Sequence, residues 1–258
     1  MNRRRRGRSA RQAAPPPASA IRAGLKGGRY RPLTGIDEQK IHSTILDVLE
    51  NIGMGDPIPI LQERALERGA FMNEHGRLCF PRTLVEDVIA NTPRDIQFLS
   101  RDGHNDLEIG GERVHTYGGG EAVNMLDIGA SKYRPSTLPD LYDAARLVDR
   151  MDNIHAFSRL IVPTEIEDQM ACDISVAYTN VAGTNKHSAL TFNDASHVQP
   201  TLEMLYMIAG GKEKFHQRPF AHGGGCCVIS PLRYARDNAE VCVESIRFGA
   251  PVWVVMAP

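Results

Sequence analysis

The sequence predicts an α/β protein of the (β/α)8, TIM-barrel type, truncated after about five strands and preceded by a helical N-terminal extension. Four observations predict it. From about residue 122, strand and helix patterns alternate at roughly 30-residue spacing, the rhythm of a parallel sheet with right-handed crossovers. The chain has 258 residues, 42% of them hydrophobic, which is enough to bury a sizeable core. Five strands with four helices fall short of the eight βα units of a closed barrel, which takes ~250 residues by itself. The final apolar run, Val252-Trp253-Val254-Val255-Met256, has no helix after it to cover a buried parallel strand. An open sheet of five strands is the alternative.

Taken in order, the elements begin with a basic arm. Residues 1–31 contain ten Lys and Arg and no Asp or Glu, so the remainder holds 20 basic against 31 acidic residues. Residues 1–33 are expected to be a disordered arm, because Arg3–Arg11 and the prolines between Ala13 and Ala20 cannot build a core. An organellar transit peptide is the rival reading of that composition. The acidic body is a poor polyanion groove, so no nucleic acid partner is expected. No stretch approaches ~18 consecutive apolar residues, so no membrane association is expected. Five scattered cysteines without a CxxC pair suit a reducing cytoplasm rather than a disulfide framework.

Residues 34–94 read as a helical extension. Thr34 with Asp37 forms a capping-box pattern ahead of Ile41, Ile45, Val48, Leu49 and Ile52, and Gly53 is the stop. A second helix runs through Ile60, Leu61, Ala65 and Leu66 to Gly69, and a third follows Pro81 through Leu84, Val85, Val88 and Ile89. From Asp95 to Asp127 apolar residues alternate in short runs broken by Asp102-Gly103 and Gly110-Gly111, which predicts a small antiparallel layer. The domain 95–258 then carries the strands Ala122–Asp127, His155–Val162, His187–Phe192, Phe220–Ile229 and Pro251–Met256. Helices are expected near 138–150, 165–180, 195–209 and 231–248, the first capped by Thr137 and Asp140.

Chemistry on such folds lies where strands end. Tyr117-Gly118-Gly119-Gly120-Glu121 is not a phosphate loop, because no Lys-Ser/Thr and no helix follow it; it reads as a bulge or turn. His222-Gly223-Gly224-Gly225-Cys226-Cys227 lacks a second ligand pair at zinc spacing and reads as a strand of small residues, so no metal site is expected. His115, His155, His187 and His222 sit near strand starts, the stability face of a barrel, and read as structural. Without a Gly-x-Ser-x-Gly elbow a hydrolase triad has no anchor, and no catalytic residue stands out. The strand ends offer Tyr117, Glu121, Asn124, Asp127, Glu165, Phe192 and Asn193. Carboxylates beside aromatic faces suit an organic cation, and Tyr117, Glu121, Glu165, Phe192 and Asn193 are the expected substrate-binding residues.

Four stretches carry a resemblance: Ile45-Leu46-Asp47-Val48-Leu49-Glu50-Asn51-Ile52-Gly53, His115-Thr116-Tyr117-Gly118-Gly119-Gly120, Asp152-Asn153-Ile154-His155 and Val228-Ile229-Ser230-Pro231-Leu232. Their order and spacing resemble the trimethylamine methyltransferase family, the MttB-like corrinoid methyltransferases, from about Thr34 to Pro258. The resemblance implies a (β/α)8 barrel that takes a methyl group from a methylated or quaternary amine, trimethylamine or glycine betaine in type. The acceptor it implies is the Co(I) corrinoid (cobalamin) of a separate small protein, so no cofactor is expected in the chain itself. Proteins of that family are close to twice this length, and the trimethylamine branch carries pyrrolysine in the later half of the barrel. A corrinoid protein is the expected partner, and homo-oligomerisation of a cytoplasmic enzyme is expected too. Against this stand a non-catalytic small-cation binding fragment and an unrelated barrel lyase; the lyase would need a basic cluster or metal site that the sequence does not offer.

Overall fold

The computed structural model describes residues 25–28 and 30–257. Most of the expected arm therefore lies outside the described residues. Within it, Leu25–Lys26 (β1) pair antiparallel with Arg113–Val114, and the Gly27 N–H donates to the Glu112 carbonyl at 2.7 Å. Leu25 and Lys26, counted in the expected arm, are thus backbone-paired.

The extension holds α1 (Gly35–Asn51), α2 (Pro59–Leu66), a hairpin of β2 (Phe71–Met72) and β3 (Leu78–Cys79), and α3 (Arg82–Asn91). The capping box forms: the Asp37 N–H donates to Thr34 Oγ1 at 3.3 Å, and the Asp37 carboxylate accepts from the Thr34 N–H at 2.9 Å. Gly53 ends α1 at φ +71°, and a Cβ there would lie 2.6 Å from the Leu78 carbonyl oxygen, so this position requires glycine. The apolar face read from the sequence is only partly covered. Leu46 is buried, while Ile41, Ile45 and Ile52 stay about half exposed. The extension joins the body through Gly55, whose N–H donates to the Leu232 carbonyl, and through Arg77, which donates to the carbonyls of Gly53 and Leu232 at 2.9 and 2.7 Å.

The antiparallel layer consists of β4 (Ile96–Phe98) paired with β5 (Leu107–Ile109), followed by β6 (Arg113–Val114). The first body strand is displaced from its expected place. Ala122–Asp127 is not one strand: Asn124–Met125 (β7) folds back antiparallel onto Arg134–Pro135 (β8), while the parallel contacts come earlier, Tyr117 to Ala156 and Ala122 to Ile161. Two strands are shorter than expected, since His155–Val162 contributes bridges only and His187–Phe192 is reduced to β9 (Ser188–Ala189).

Helices α4 (Leu138–Asp149) and α5 (Gln169–Gly183) flank these segments. Asp140 accepts from the Thr137 N–H at 2.8 Å and takes both Arg134 terminal nitrogens at 2.7 Å. That charge-assisted pairing holds its carboxyl far below the ordinary range. A 3-10 turn (Ala195–His197) leads into α6 (Val198–Ala209), which stops at Gly210 with φ +80°. The short α7 (Lys212–Gln217) was not apparent in the sequence. β10 (Ala221–Ile229) turns into β11 (Arg233–Tyr234), which uses residues expected to be helical, so α8 begins only at Arg236 and runs to Arg247; β12 (Val252–Met256) follows.

Parallel pairing runs in chain order: Tyr117 to Ala156, Phe157 to Ser188, Ser188 to Ala221, and Gly223 to Val252. The result is a mixed α/β fold of small sheets, and among the described residues no barrel closes. One core packs Val181, Leu190, Val198, Leu202, Phe215 and Phe220 between β10 and the later helices; a second packs Leu141, Ala145, Val148, Phe157, Ile161 and Val176 under α4 and α5. Gly183 lets α5 approach α4, since a Cβ there would lie 2.4 Å from that of Ala145. Among the described residues no helix is long and apolar enough to cross a membrane.

Candidate functional site

The parallel segments carry a polar cluster at each end. At the end where they finish, Arg159 donates from Nε to Glu121 Oε1 at 2.9 Å, and its Nη2 lies 2.8 Å from Glu121 Oε2. This two-pronged contact fixes the carboxylate plane. Thr191 Oγ1 adds a hydrogen bond to Glu121 at 3.2 Å. Behind this pair lies Asp173, on the second turn of α5, with its side chain fully buried. The Asp168 cap, accepting from the Ala171 N–H at 2.7 Å, sets where α5 begins and so which face Asp173 occupies.

A buried carboxylate needs donors. Asp173 accepts from the Asn193 backbone N–H at 2.8 Å, from Asn193 Nδ2 at 2.7 Å and from His197 Nδ1 at 2.7 Å, with Arg159 Nη1 at 4.0 Å. Because a carboxylate only accepts, His197 carries a proton on Nδ1. Glu121, Arg159, Asp173, Asn193 and His197 are thus one connected network, in which the Glu121 side chain is 42% exposed against 10% for Arg159.

Of the expected site residues, the fold brings together Glu121 and Asn193. Phe192, half-buried next to Asn193, packs against the core beside Gly223. Glu165 is placed differently: its carboxylate accepts from the Leu138 N–H at 2.7 Å, at the first residue of α4. Tyr117 is a correction of position, because its bridge to Ala156 puts it at the start of its segment rather than the end. It lines a cavity of about 450 Å3 with Phe98, His115, His222 and Trp253, where burial raises its phenol. Arg159, Asp173 and His197 were missed by sequence reasoning. The one available signal was an aspartate inside the apolar helix run Met170-Ala171-Cys172-Asp173-Ile174, which has to find buried donors.

At the opposite end the histidines form hydrogen-bonded structure. His187 Nδ1 contacts the Leu99 carbonyl at 2.8 Å, and His187 Nε2 contacts His222 Nδ1 at 2.8 Å. The carbonyl can only accept, so His187 is protonated on Nδ1 and receives a proton bond from His222 on Nε2. Burial holds His187 down at about 4 and His222 at about 3, so both are neutral at physiological pH. Phe98 stacks on His187 at 4.3 Å. Beside them the ammonium of Lys186, also buried, donates to the carbonyls of Val148, Met151 and Ile154 at 2.6, 2.7 and 2.6 Å, closing the C-terminal end of α4. Among the described residues no group of three or more His, Cys, Asp and Glu is placed to hold a metal ion.

Sequence similarity gives this arrangement its relatives. The model of the trimethylamine methyltransferase (MTTB) family matches residues 2–257. The chain belongs to that family. It is 30% identical over 240 residues to trimethylamine methyltransferase MttB of Desulfitobacterium hafniense strain DSM 10664 / DCB-2, covering 91% of this chain and 48% of that protein. It is 26% identical over 235 residues to trimethylamine methyltransferase MttB1 of Methanosarcina mazei, covering 90% and 48%. The glycine betaine methyltransferase of D. hafniense strain Y51 is 25% identical over 195 residues, 74% of this chain and 40% of that protein. The chain spans about half the length of the trimethylamine methyltransferases it matches. Within the MTTB family frame, a lyase reading of this chain is superseded.

Proposed function

We propose that this chain is part of a methyltransferase that moves a methyl group from a methylated or quaternary amine to the Co(I) corrinoid of a separate protein. The observation that carries the reading is the family match over residues 2–257, with relatives named for trimethylamine and for glycine betaine. On this reading the five parallel segments are strands of a (β/α)8 barrel, residues 34–94 are its helical extension, and the corrinoid protein docks over the end where those strands finish. The corrinoid supplies the nucleophile. The residues of this chain then have two tasks, which are to hold the amine and to aim its methyl–nitrogen bond.

Glu121 is suited to the first task. Its carboxylate is held by Arg159 while 42% of the side chain stays open to solvent. Phe192, next in the chain to the Thr191 that bonds Glu121, is the proposed aromatic half of a small-cation site. Asp173 and His197, both buried, act with Asn193 as positioning residues, since they hold Arg159 and the Asn193 loop. A quaternary substrate leaves as a neutral amine, so no general acid has to be found. The cytoplasm and a homo-oligomer remain the expected setting.

Calorimetric titration of the chain with trimethylamine and with glycine betaine tests the site. Binding should weaken at least tenfold in Glu121→Gln and stay unchanged in Glu165→Gln. Equal binding by the parent and Glu121→Gln removes Glu121 from the site. Methylation of a reduced corrinoid protein, followed by its absorbance, separates a methyltransferase from a cation-binding fragment without turnover.

A further inference from the structure

Beyond the methyl-transfer reading, the geometry of one pair of thiols has a consequence of its own. All described cysteines are free. Cys227 and Cys242 are both buried, and their sulfurs lie 3.1 Å apart. The approach has a structural cause. The β10–β12 ladder shifts register between Cys226 and Val228, so Cys227 sits at a bulge, and its backbone carbonyl accepts instead from the Ala235 N–H at 2.9 Å. The same detour brings the Cys227 side chain to α8, where its sulfur meets Cys242 and the Asn238 carbonyl at 3.6 Å. The vicinal Cys226 is placed differently, with its thiol 3.5 Å from the Val228 carbonyl. Both members of the pair line an apolar cavity of about 530 Å3 between the extension and α8, together with Leu49, Val88, Ile246 and Val254.

We propose that Cys227 and Cys242 form a redox modification site, a dithiol that closes into an intrachain disulfide with a small neutral disulfide as oxidant. The sulfurs need to move together by about 1 Å to reach bonding distance, which is within the reach of side-chain rotation. Cys242 is the attacking thiol. It accepts the hydrogen of Cys227, which lowers it from the ordinary thiol range and raises its partner. The Cys242 thiolate attacks one sulfur of the small disulfide, forming a mixed disulfide and expelling a thiolate. Cys227 then loses its proton and attacks the Cys242 sulfur, expelling the second thiolate. Two electrons and two protons pass from the protein to two small thiols, and one intrachain bond remains. The apolar mouth selects the oxidant, because a neutral reagent can partition into it whereas a charged disulfide must shed its hydration.

The test treats the reduced chain with bis(2-hydroxyethyl) disulfide and, in parallel, with glutathione disulfide. The expected result is loss of two of the five thiols, a mass lower by two hydrogen atoms, and a proteolytic fragment linking Cys227 to Cys242. Closure should be at least tenfold faster with the neutral reagent. Cys226→Ala should retain the link. Cys242→Ala should lose it and stop at a mixed adduct or at no adduct. Retention of all five thiols, a link through Cys226, a bond between two chains, or equal thiol loss in Cys242→Ala overturns the proposal. Circular dichroism of each variant establishes that it is folded before its thiols are counted, and the mapped fragment of the parent decides even if Cys242→Ala does not fold.

Discussion

Acidification from pH 7 to about pH 5 should destabilise the folded chain mainly through His187 and His222. In the unfolded chain both are expected near the ordinary histidine value of about 6.5. In the folded chain burial holds them at about 4 and about 3. At pH 5 the unfolded chain therefore binds two protons that the folded chain refuses. A group depressed in the folded state in this way makes stability fall as pH falls, and its contribution is complete above about pH 6.5, where neither state is protonated. Over this interval each histidine costs about 2 kcal/mol, so the pair costs about 4 kcal/mol against a typical total of 5–15 kcal/mol. Burial also lowers His155, which adds in the same direction. Carboxylates such as Asp140 and Asp106, held low by arginine pairing, respond below about pH 4 and are nearly silent here.

The assay is urea unfolding at the two pH values, read by fluorescence. The chain has a single tryptophan, Trp253, and its ring centroid lies 5.9 Å from that of His222, so the probe sits at the titrating site. His222→Gln keeps a donor for His187 Nε2 and removes one titration. The pH-dependent loss should then drop to about half, about 2 kcal/mol, whatever the variant's own stability. An undiminished loss in His222→Gln, or a His187 or His222 imidazole resonance of the folded chain titrating near the ordinary histidine value, would refute the reasoning.

Three further outcomes follow from packing and caps. Lys186→Met should cost about 1–3 kcal/mol in urea unfolding, since it removes the ammonium from three carbonyls, of which Val148 and Met151 keep a backbone N–H donor and Ile154 is left without its Lys186 bond. Glu165→Ala should cost about 1 kcal/mol by uncovering the Leu138 N–H, with amine titrations unchanged, if its place is at the helix start rather than in the substrate site. Gly183→Val should lower the melting temperature sharply, because the added atoms meet Ala145 where α5 crosses α4, and overpacking there costs about 1–3 kcal/mol or more.

Helix positions were legible where a local signal closes on itself. Thr34 with Asp37 and Thr137 with Asp140 sit three residues apart, and each pair forms the contacts that spacing implies. Elements that depend on distant partners were harder to read. The first body strand was assigned to Ala122–Asp127 because its apolar residues look like a strand, yet Asn124–Met125 turns back onto Arg134–Pro135. The segment that runs parallel to the next begins at Tyr117 and passes through the glycine-rich stretch after it, where few side chains advertise a strand. Residues 231–235 were read as helix, but a left-handed Leu232 and the pairing of Arg233 and Tyr234 with β10 take them into a hairpin.

The same distinction separates the site residues. Glu121 and Glu165 look alike in sequence, each being an acidic residue beside one end of a predicted strand, and composition cannot rank them. Their partners do. Glu165 meets a backbone N–H at the start of a helix, where a carboxylate is stabilising for structural reasons alone. Glu121 meets an arginine that is itself almost buried and lies beside a second, fully buried carboxylate. Holding Asp173 and Arg159 out of water is costly unless the network is complete, and completeness here requires Asn193 and His197 from the far side of α5. None of these four residues is adjacent in sequence to Glu121, so their convergence is a property of the chain-ordered parallel pairing and could not be read from any one motif. A network of this kind leaves Glu121 little freedom to move while keeping 42% of its side chain open, which is the combination expected of a group that orients a cation rather than one that merely solubilises a loop.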